Sequence, residues 1–206
     1  MKVHIVYCHP SPASYTHEVF TSLREQLQGA GFDCSFSDLY AENFRSDMTE
    51  EEYAREGGNA TQVDLAEDVL REQARLAVAV CVVFLYPVWW SDCPAKLKGW
   101  FDRVFVRGYA YGAVDGVTSM PVIPYGLVVC TAGHPAAVLE ATGIDSSMRT
   151  VMLDDRLAKR FLAKDMIVLS GTLTPDRARK AHQAIIAGIP QQIGRAIRDN
   201  RLCEPD

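Results

Sequence analysis

The chain reads as an α/β protein with a doubly wound sheet: five parallel strands in the order 2-1-3-4-5, with helices on both faces. Three observations predict this. Five short apolar runs alternate with amphipathic helical stretches, the pattern of successive strand–helix–strand units. The run Val78 to Tyr86 is rich in Val and lacks polar alternation, as suits a strand buried on both faces of a parallel sheet. A chain of 206 residues, 48% hydrophobic and 23% charged, fits one globular domain, and no repeat or low-complexity stretch divides residues 1–206.

Val3 to Cys8 is the first strand, and the turn-rich His9-Pro10-Ser11-Pro12-Ala13-Ser14 follows it. Ser14 is a natural N-cap for a helix in which Phe20, Leu23, Leu27 and Ala30 recur at helical spacing, ended by Gly29 and Gly31. Phe32 to Leu39 alternates apolar and polar residues, as a strand nearer the sheet edge does. Tyr40 to Thr61 carries many charges and the pair Gly57-Gly58, which predicts a long surface connection with one helical turn around Glu50 to Arg55. Asp64 to Ala77 is an amphipathic helix with Ala66, Val69, Leu70 and Ala77 on one face.

The third strand, Val78 to Tyr86, stops at Pro87. Pro94 sits in the first turn of the next helix, Ala95 to Val104, whose apolar face is Leu97, Trp100, Phe101 and Val104. Lys96, Lys98, Asp102 and Arg103 read as its solvated charges. Val106 to Pro124 is an inserted loop, a length without periodicity that is often functional. Tyr125 to Thr131 is the fourth strand. A helix over Met148 to Leu162 uses Met148, Val151, Met152 and Phe161, and Met166 to Ser170 is the last strand. Thr174, Pro175 and Asp176 open the final helix, whose face runs through Ala178, Ala181, Ile185 and Ile189 until Pro190 kinks or breaks it; Ile193 and Ile197 resume beyond.

A formal charge of -5 and a pI near 5.5 argue against a nucleic-acid surface built from clustered Lys and Arg. No apolar segment reaches about 18 residues and no basic leader precedes the first strand, so the expectation is a soluble cytoplasmic protein without membrane insertion. The six cysteines are scattered without a CxxC pair, as suits small buried hydrophobes in a reducing compartment; Cys93 is the one placed to be a reactive thiol. His134, with His4, His9, His17 and His182, forms no metal-ligand spacing, and no metal is expected.

Candidate chemistry concentrates in three connections, at residues 9–16, 87–91 and 131–134. They follow strands one, three and four and so converge at the carboxyl end of the sheet, where open α/β sheets bind ligands. The first has no GxGxxG or GxxxxGK pattern. Free amides at the following helix N-terminus, with the hydroxyls of Ser14 and Thr16, suit an anion, though simple capping accounts for the same residues. The second presents adjacent indoles, Trp89 and Trp90, able to wall a flat aromatic ligand. In the third, Gly133 permits close backbone approach, and its exposed amides can face a ring edge carrying negative charge.

The stretch YPVWWSDCPAKLKGWFDRVFVRGYAY, with SDLY at Ser37 to Tyr40, resembles the NAD(P)H dehydrogenase (quinone) family of flavodoxin-like flavoproteins. Pro87, Trp90, Pro94, Ala95, Leu97, Lys98, Gly99, Trp100, Phe101, Arg103, Val104 and Phe105 stand in family register. The resemblance implies a flavodoxin-like fold and a flavin, FAD in preference to FMN. Its phosphates would be cradled by His9, Ser14, Tyr15 and Thr16, and its ring flanked by Pro87, Val88, Trp89 and Trp90 and by Thr131, Ala132, Gly133 and His134.

It further implies hydride from NADH or NADPH passed to a quinone by a ping-pong mechanism. Tyr111 would reach the active site of a partner subunit; a homodimer would also cover the aromatics Trp89, Trp90, Tyr109 and Tyr111. One departure stands out. Where family members carry a Tyr and a His proposed to relay protons, ungapped register places Leu139, which cannot, and Asp145, which can do so only with a raised pKa. Arg179, aligned with a family arginine near the adenylate, reads from spacing as a solvated helix residue. Two other classes are compatible with these residues: a flavin-binding regulatory subunit of a partner protein, and a flavodoxin-like electron carrier.

Overall fold

The computed structural model describes residues 1–57, 64–112 and 118–201. Gly58 to Thr61, the centre of the 106–124 connection and Cys203 lie outside the described residues. Five strands, β1 (Lys2–Tyr7), β2 (Asp33–Asp38), β3 (Cys81–Pro87), β4 (Ile123–Thr131) and β5 (Phe161–Leu169), form one sheet ordered β2-β1-β3-β4-β5, with every neighbouring pair parallel. The helices are α1 (Tyr15–Gly29), α2 (Glu50–Glu56), α3 (Glu67–Ala77), α4 (Ala95–Val104), α5 (Ala136–Ala141), α6 (Ile144–Arg149) and α7 (Pro175–Arg201), with a π-helical stretch, Thr150–Leu157, after α6.

The alternation of side chains along β3 explains its unbroken apolar sequence. Val82, Phe84 and Tyr86 enter one core with Leu97, Trp100, Phe101 and Val104 of α4. Cys81, Val83 and Leu85 enter the other, against Leu23 and Leu27 of α1 and Ile189, Ile193 and Ile197 of α7. Both faces are therefore paid for by apolar burial, and the carboxyl ends of β1, β3 and β4 are free to carry loops.

Several expected boundaries and faces shift. The third strand begins at Cys81, because Val78 is the exposed C-cap of α3. On α3 the inward residues are Val69, Glu72 and Leu76, while Leu70 is half exposed. The face turns because Glu72, buried, is satisfied there: its carboxylate accepts from Arg75 Nη1 (2.6 Å), Ser37 Oγ (2.8 Å) and Trp100 Nε1 (2.8 Å).

Arg103 is likewise buried rather than solvated, held by Asp68 (2.6 Å), Glu52 (2.8 Å) and the Arg45 carbonyl (2.7 Å). The helix expected to run to Leu162 widens into π geometry at Thr150 and ends before Phe161, which already pairs with Ile123 as β5 begins.

Pro190 does not break the last helix. Proline inside a helix costs about 3 kcal/mol, whereas burying each of Ile189, Ile193 and Ile197 contributes about 1.5–3 kcal/mol. Packing wins, and α7 runs through 27 residues. Its inner face includes His182 and Ile186, with Ala181 and Ile185 turned outward. Among the described residues no helix is long and apolar enough to cross a membrane, and no His, Cys, Asp and Glu cluster could hold a metal.

Candidate functional site

The three loops after β1, β3 and β4 are stitched together by short contacts. The hydroxyls of Thr16 and Thr131 lie 2.8 Å apart and buried, joining the start of α1 to the end of β4. Val88 N–H donates to the Thr131 carbonyl at 2.8 Å, joining the β3 and β4 loops. The ring of His9 meets Trp89 edge-on, with centroids 5.9 Å apart, joining the β1 and β3 loops. Pro87 is the buried end of β3.

In the first loop Ser14 caps α1: its Oγ accepts from His17 N–H at 3.1 Å. The amides of Tyr15 and Thr16, in the first turn, have no intrahelical acceptor. His9 accepts from Ser11 N–H through Nδ1 (3.0 Å), and burial lowers its pKa, so its ring is neutral near pH 7. Tyr15 Oη lies 2.9 Å from His182 Nδ1 on α7. A cleft of about 260 Å³ opens between these helices, lined by Tyr15, Glu18, Arg179 and Lys180. Arg179 is exposed there, paired with Glu18 (2.7 Å) and Asp176 (2.8 Å).

The second loop is a tight two-residue turn. Trp89 and Asp92 exchange both backbone hydrogen bonds (2.9 and 3.1 Å), and the intervening Trp90 and Ser91 have φ of 51° and 62°. Trp89 is 41% exposed, and the Trp90 side chain stands wholly in solvent. Asp92 closes the turn with a bidentate pair to Arg156 of the π-helical stretch. Burial alone would raise the Asp92 pKa, but the Arg156 guanidinium outweighs it and holds the carboxyl below the usual range.

Cys93, beyond the turn, is buried and its thiol is pushed up to about 12 by that burial. It is packing, with Arg156 at 3.4 Å, rather than a nucleophile.

In the third loop the Ala132 N–H is taken by the Leu169 carbonyl (2.9 Å), so donors toward a ligand come from Gly133 and His134. His134 is exposed. A fourth loop, after β5, is clipped to it by Gly171 N–H to His134 O (2.9 Å) and Thr172 N–H to Ala132 O (3.0 Å). A Cβ on Gly133 would lie 3.2 Å from Leu173 Cγ, so the space over Gly133 belongs to an exposed leucine on that side.

The remaining candidates sit apart from the loops. Asp145, in the first turn of α6, accepts from Arg149 Nε at 2.7 Å and Nη2 at 3.3 Å, and Leu139 is buried. Tyr111 donates to Glu56 Oε2 at 2.6 Å, and burial, then that carboxylate, pushes its pKa up to about 12. It lines an open cavity of about 430 Å³ with Tyr53, Phe101, Phe105 and Arg156, to which none of the three loops contributes. Tyr109 is buried, leaving Trp89, Trp90 and Tyr111 as the uncovered aromatics of the expected set. Spacing did not single out Asp92, Arg156 or Leu173. Asp92 was the accessible signal, as an acid one residue beyond two indoles and Ser91 in a short turn.

Five parallel strands in this order, with stitched loops at the carboxyl ends of β1, β3 and β4, define a doubly wound α/β protein whose candidate site lies where the strand order reverses. Residues 1–189 match the sequence profile of the Flavodoxin_2 family, of flavodoxin-like fold, and the chain belongs to that family. It is similar to a solved structure, NAD(P)H:quinone oxidoreductase from Methanothermobacter marburgensis, at 40% identity and a TM-score of 0.77, covering 100% of this chain and 97% of that one.

Among curated relatives, ribosyldihydronicotinamide dehydrogenase [quinone] of Pongo abelii is 31% identical over 163 residues, 72% of this chain and 70% of that protein. A ribosyldihydronicotinamide dehydrogenase-like protein of Penicillium crustosum is 34% identical over 124 residues; the match spans 54% of this chain and less than half, 46%, of the relative.

Proposed function

We propose that the protein is a flavin-dependent NAD(P)H oxidoreductase that passes hydride to a quinone or similar flat acceptor, binding donor and acceptor alternately in one aromatic slot. The observation that carries this reading is the stitching of three loops into one site by the Thr16–Thr131, Val88–Thr131 and His9–Trp89 contacts. The family membership and the names of its relatives support it.

The residues fit a flavin. The first turn of α1 offers the Tyr15 and Thr16 amides to an anion, and neutral His9, whose Nδ1 accepts from Ser11 N–H, adds an Nε2–H donor. The Gly133 and His134 amides offer donors on the side away from Leu173, and Pro87, Val88, Trp89 and Trp90 supply an apolar edge. When bound, the flavin supplies hydride acceptance and donation, and the protein supplies orientation and electrostatics. FAD is preferred to FMN because the cleft beside Tyr15 carries Arg179 and Lys180, which suits an adenylate; Arg179 would exchange Glu18 for a phosphate.

Proton delivery does not fall to Leu139 or Asp145. The first is apolar and buried, and the second is occupied by Arg149, so protons come from water in the open site. The exposed Trp89, Trp90 and Tyr111 support a homodimer in which Tyr111 faces the partner subunit's site. Free cysteines, acidic pI and the absence of a spanning helix among the described residues support a cytoplasmic setting.

Reconstitution with FAD and FMN, chromatography of the retained cofactor, and turnover of NADH and NADPH with a panel of quinones test the reading. Retention of flavin with quinone-dependent oxidation of either nicotinamide is expected. Failure of either half rejects it.

A further inference from the structure

The aromatic turn is held in a backbone form that its own residues disfavour. A two-residue turn with φ above zero at both central positions ordinarily uses Asn-Gly or Gly-Gly, because a Cβ crowds the backbone there. Here the two positions are Trp90 (φ 51°) and Ser91 (φ 62°), which bring no such freedom. Strain of this kind persists only where the surroundings impose it.

Those surroundings are visible. Asp92, the closing residue, places Oδ1 2.7 Å from Arg156 Nη1 and Oδ2 2.8 Å from Nη2, and Oδ1 also accepts the Cys93 N–H at 2.7 Å. The carboxylate is thus fixed in rotation as well as position. Arg156 cannot drift, since it is buried, 3.1 Å from Met152 Sδ, and stacked 5.4 Å over the Phe101 ring. It arrives from 64 residues away through the π-helical stretch, where Met152, Arg156 and Leu157 all point inward. The product of this bracing is an indole, Trp90, that stands wholly exposed beside Trp89 rather than collapsing onto the protein.

We propose that Asp92 and Arg156 are positioning residues that lock the Trp89–Asp92 turn in its left-handed form, presenting the Trp90 indole as a preformed wall for the flat acceptor; this rests on the oxidoreductase reading. A turn whose backbone is already fixed does not have to be ordered when the ligand stacks on the indole it carries.

The test uses Asp92→Ala, Ser91→Gly and the double variant, since glycine adopts positive φ freely and can restore the turn without the ion pair. Backbone ¹⁵N heteronuclear NOEs at positions 90 and 91 are measured in cofactor-free protein, and KM for the quinone and kcat in flavin-loaded protein. Asp92→Ala is expected to lower both NOEs and raise the quinone KM by about tenfold, equivalent to about 1.4 kcal/mol, with kcat changing less. Adding Ser91→Gly is expected to recover both. Unchanged NOEs in Asp92→Ala, or a raised KM that glycine does not lower, overturn the proposal, because a merely structural pair would shift stability without this rescue. The NOE arm needs no flavin. A wild type that never turns over would therefore reject the functional reading, while the hold of the ion pair on the turn is judged separately.

Discussion

Arg103 and Arg156 lie in the same core, on the α4 face of the sheet, and both are buried and paired with carboxylates. They serve different ends. Arg103 gathers Glu52 of α2, Asp68 of α3 and the Arg45 carbonyl, and stacks 5.1 Å over Phe44, so among the described residues its partners belong to the scaffold between residues 44 and 68. Among the described residues Arg156 has a single carboxylate partner, Asp92, and that residue closes the turn that displays Trp90. Both guanidiniums are buried, at 0% and 9% side-chain exposure. What separates scaffold from site is the segment to which the partner belongs.

If that distinction holds, Arg103→Ala should give the largest loss of stability, since removing one member of a buried ionic cluster strands the others. A cost of about 3 kcal/mol is expected, at the low end for buried pairs because Glu52 and Asp68 keep some solvent. Urea denaturation measures it, and flavin affinity of the folded fraction should be unchanged. A large drop in that affinity would erase the contrast with Arg156.

The scaffold side also predicts a pH dependence. His4 is buried, with Nδ1 3.0 Å from Ser35 Oγ and Nε2 3.1 Å from Ser37 Oγ, and burial, then Arg75 and Lys2, lower its pKa to about 3. Unfolded, it titrates near 6.5, so below that pH the unfolded chain takes up a proton that the folded one refuses. The stabilisation is complete above pH 6.5 and is lost progressively toward pH 3. At pH 5 the loss is about 2 kcal/mol. Denaturation midpoints across this range should fall with a slope that His4→Gln flattens; an unchanged slope would show that other groups govern acid stability.

On the site side, Trp90→Ala should leave thermal stability unaltered, because the indole is exposed. It should weaken binding of the flat acceptor by on the order of 1 kcal/mol, the usual worth of an aromatic stacking partner. A shifted melting temperature with unchanged KM would move Trp90 to the scaffold. The smallest effect is expected for Asp145→Asn. Its partially exposed pair with Arg149 is worth at most about 1 kcal/mol, and the pH–rate profile should not change. Loss of a titrating limb would restore Asp145 as a proton donor.

Sequence patterning carried far for the sheet and less far for these arginines. The apolar runs and the loops at 9–16, 87–91 and 131–134 were legible because each is local: a strand declares itself by composition and its loop by Pro, Gly or Trp. Arg103 read as solvated because its partners lie 35 and 51 positions away. Arg156 was hidden twice over, by a partner 64 residues distant and by a π-helical stretch that departs from the 3.6-residue period. Glu72 misled in the same way, since a buried acid on an amphipathic helix shifts the apparent apolar face unless its hydrogen-bond donors are known. The start of β5 was obscured because Lys164 and Asp165 interrupt the apolar run of that edge strand.

The most direct test of the three-loop site is anaerobic mixing of flavin-reconstituted protein with NADPH or NADH, followed by addition of a quinone, while the visible absorption of the flavin is recorded. The account expects bleaching with at least one nicotinamide and full recovery of colour on adding quinone. Protein that retains no flavin after desalting, or retained flavin that neither nicotinamide bleaches, would contradict it.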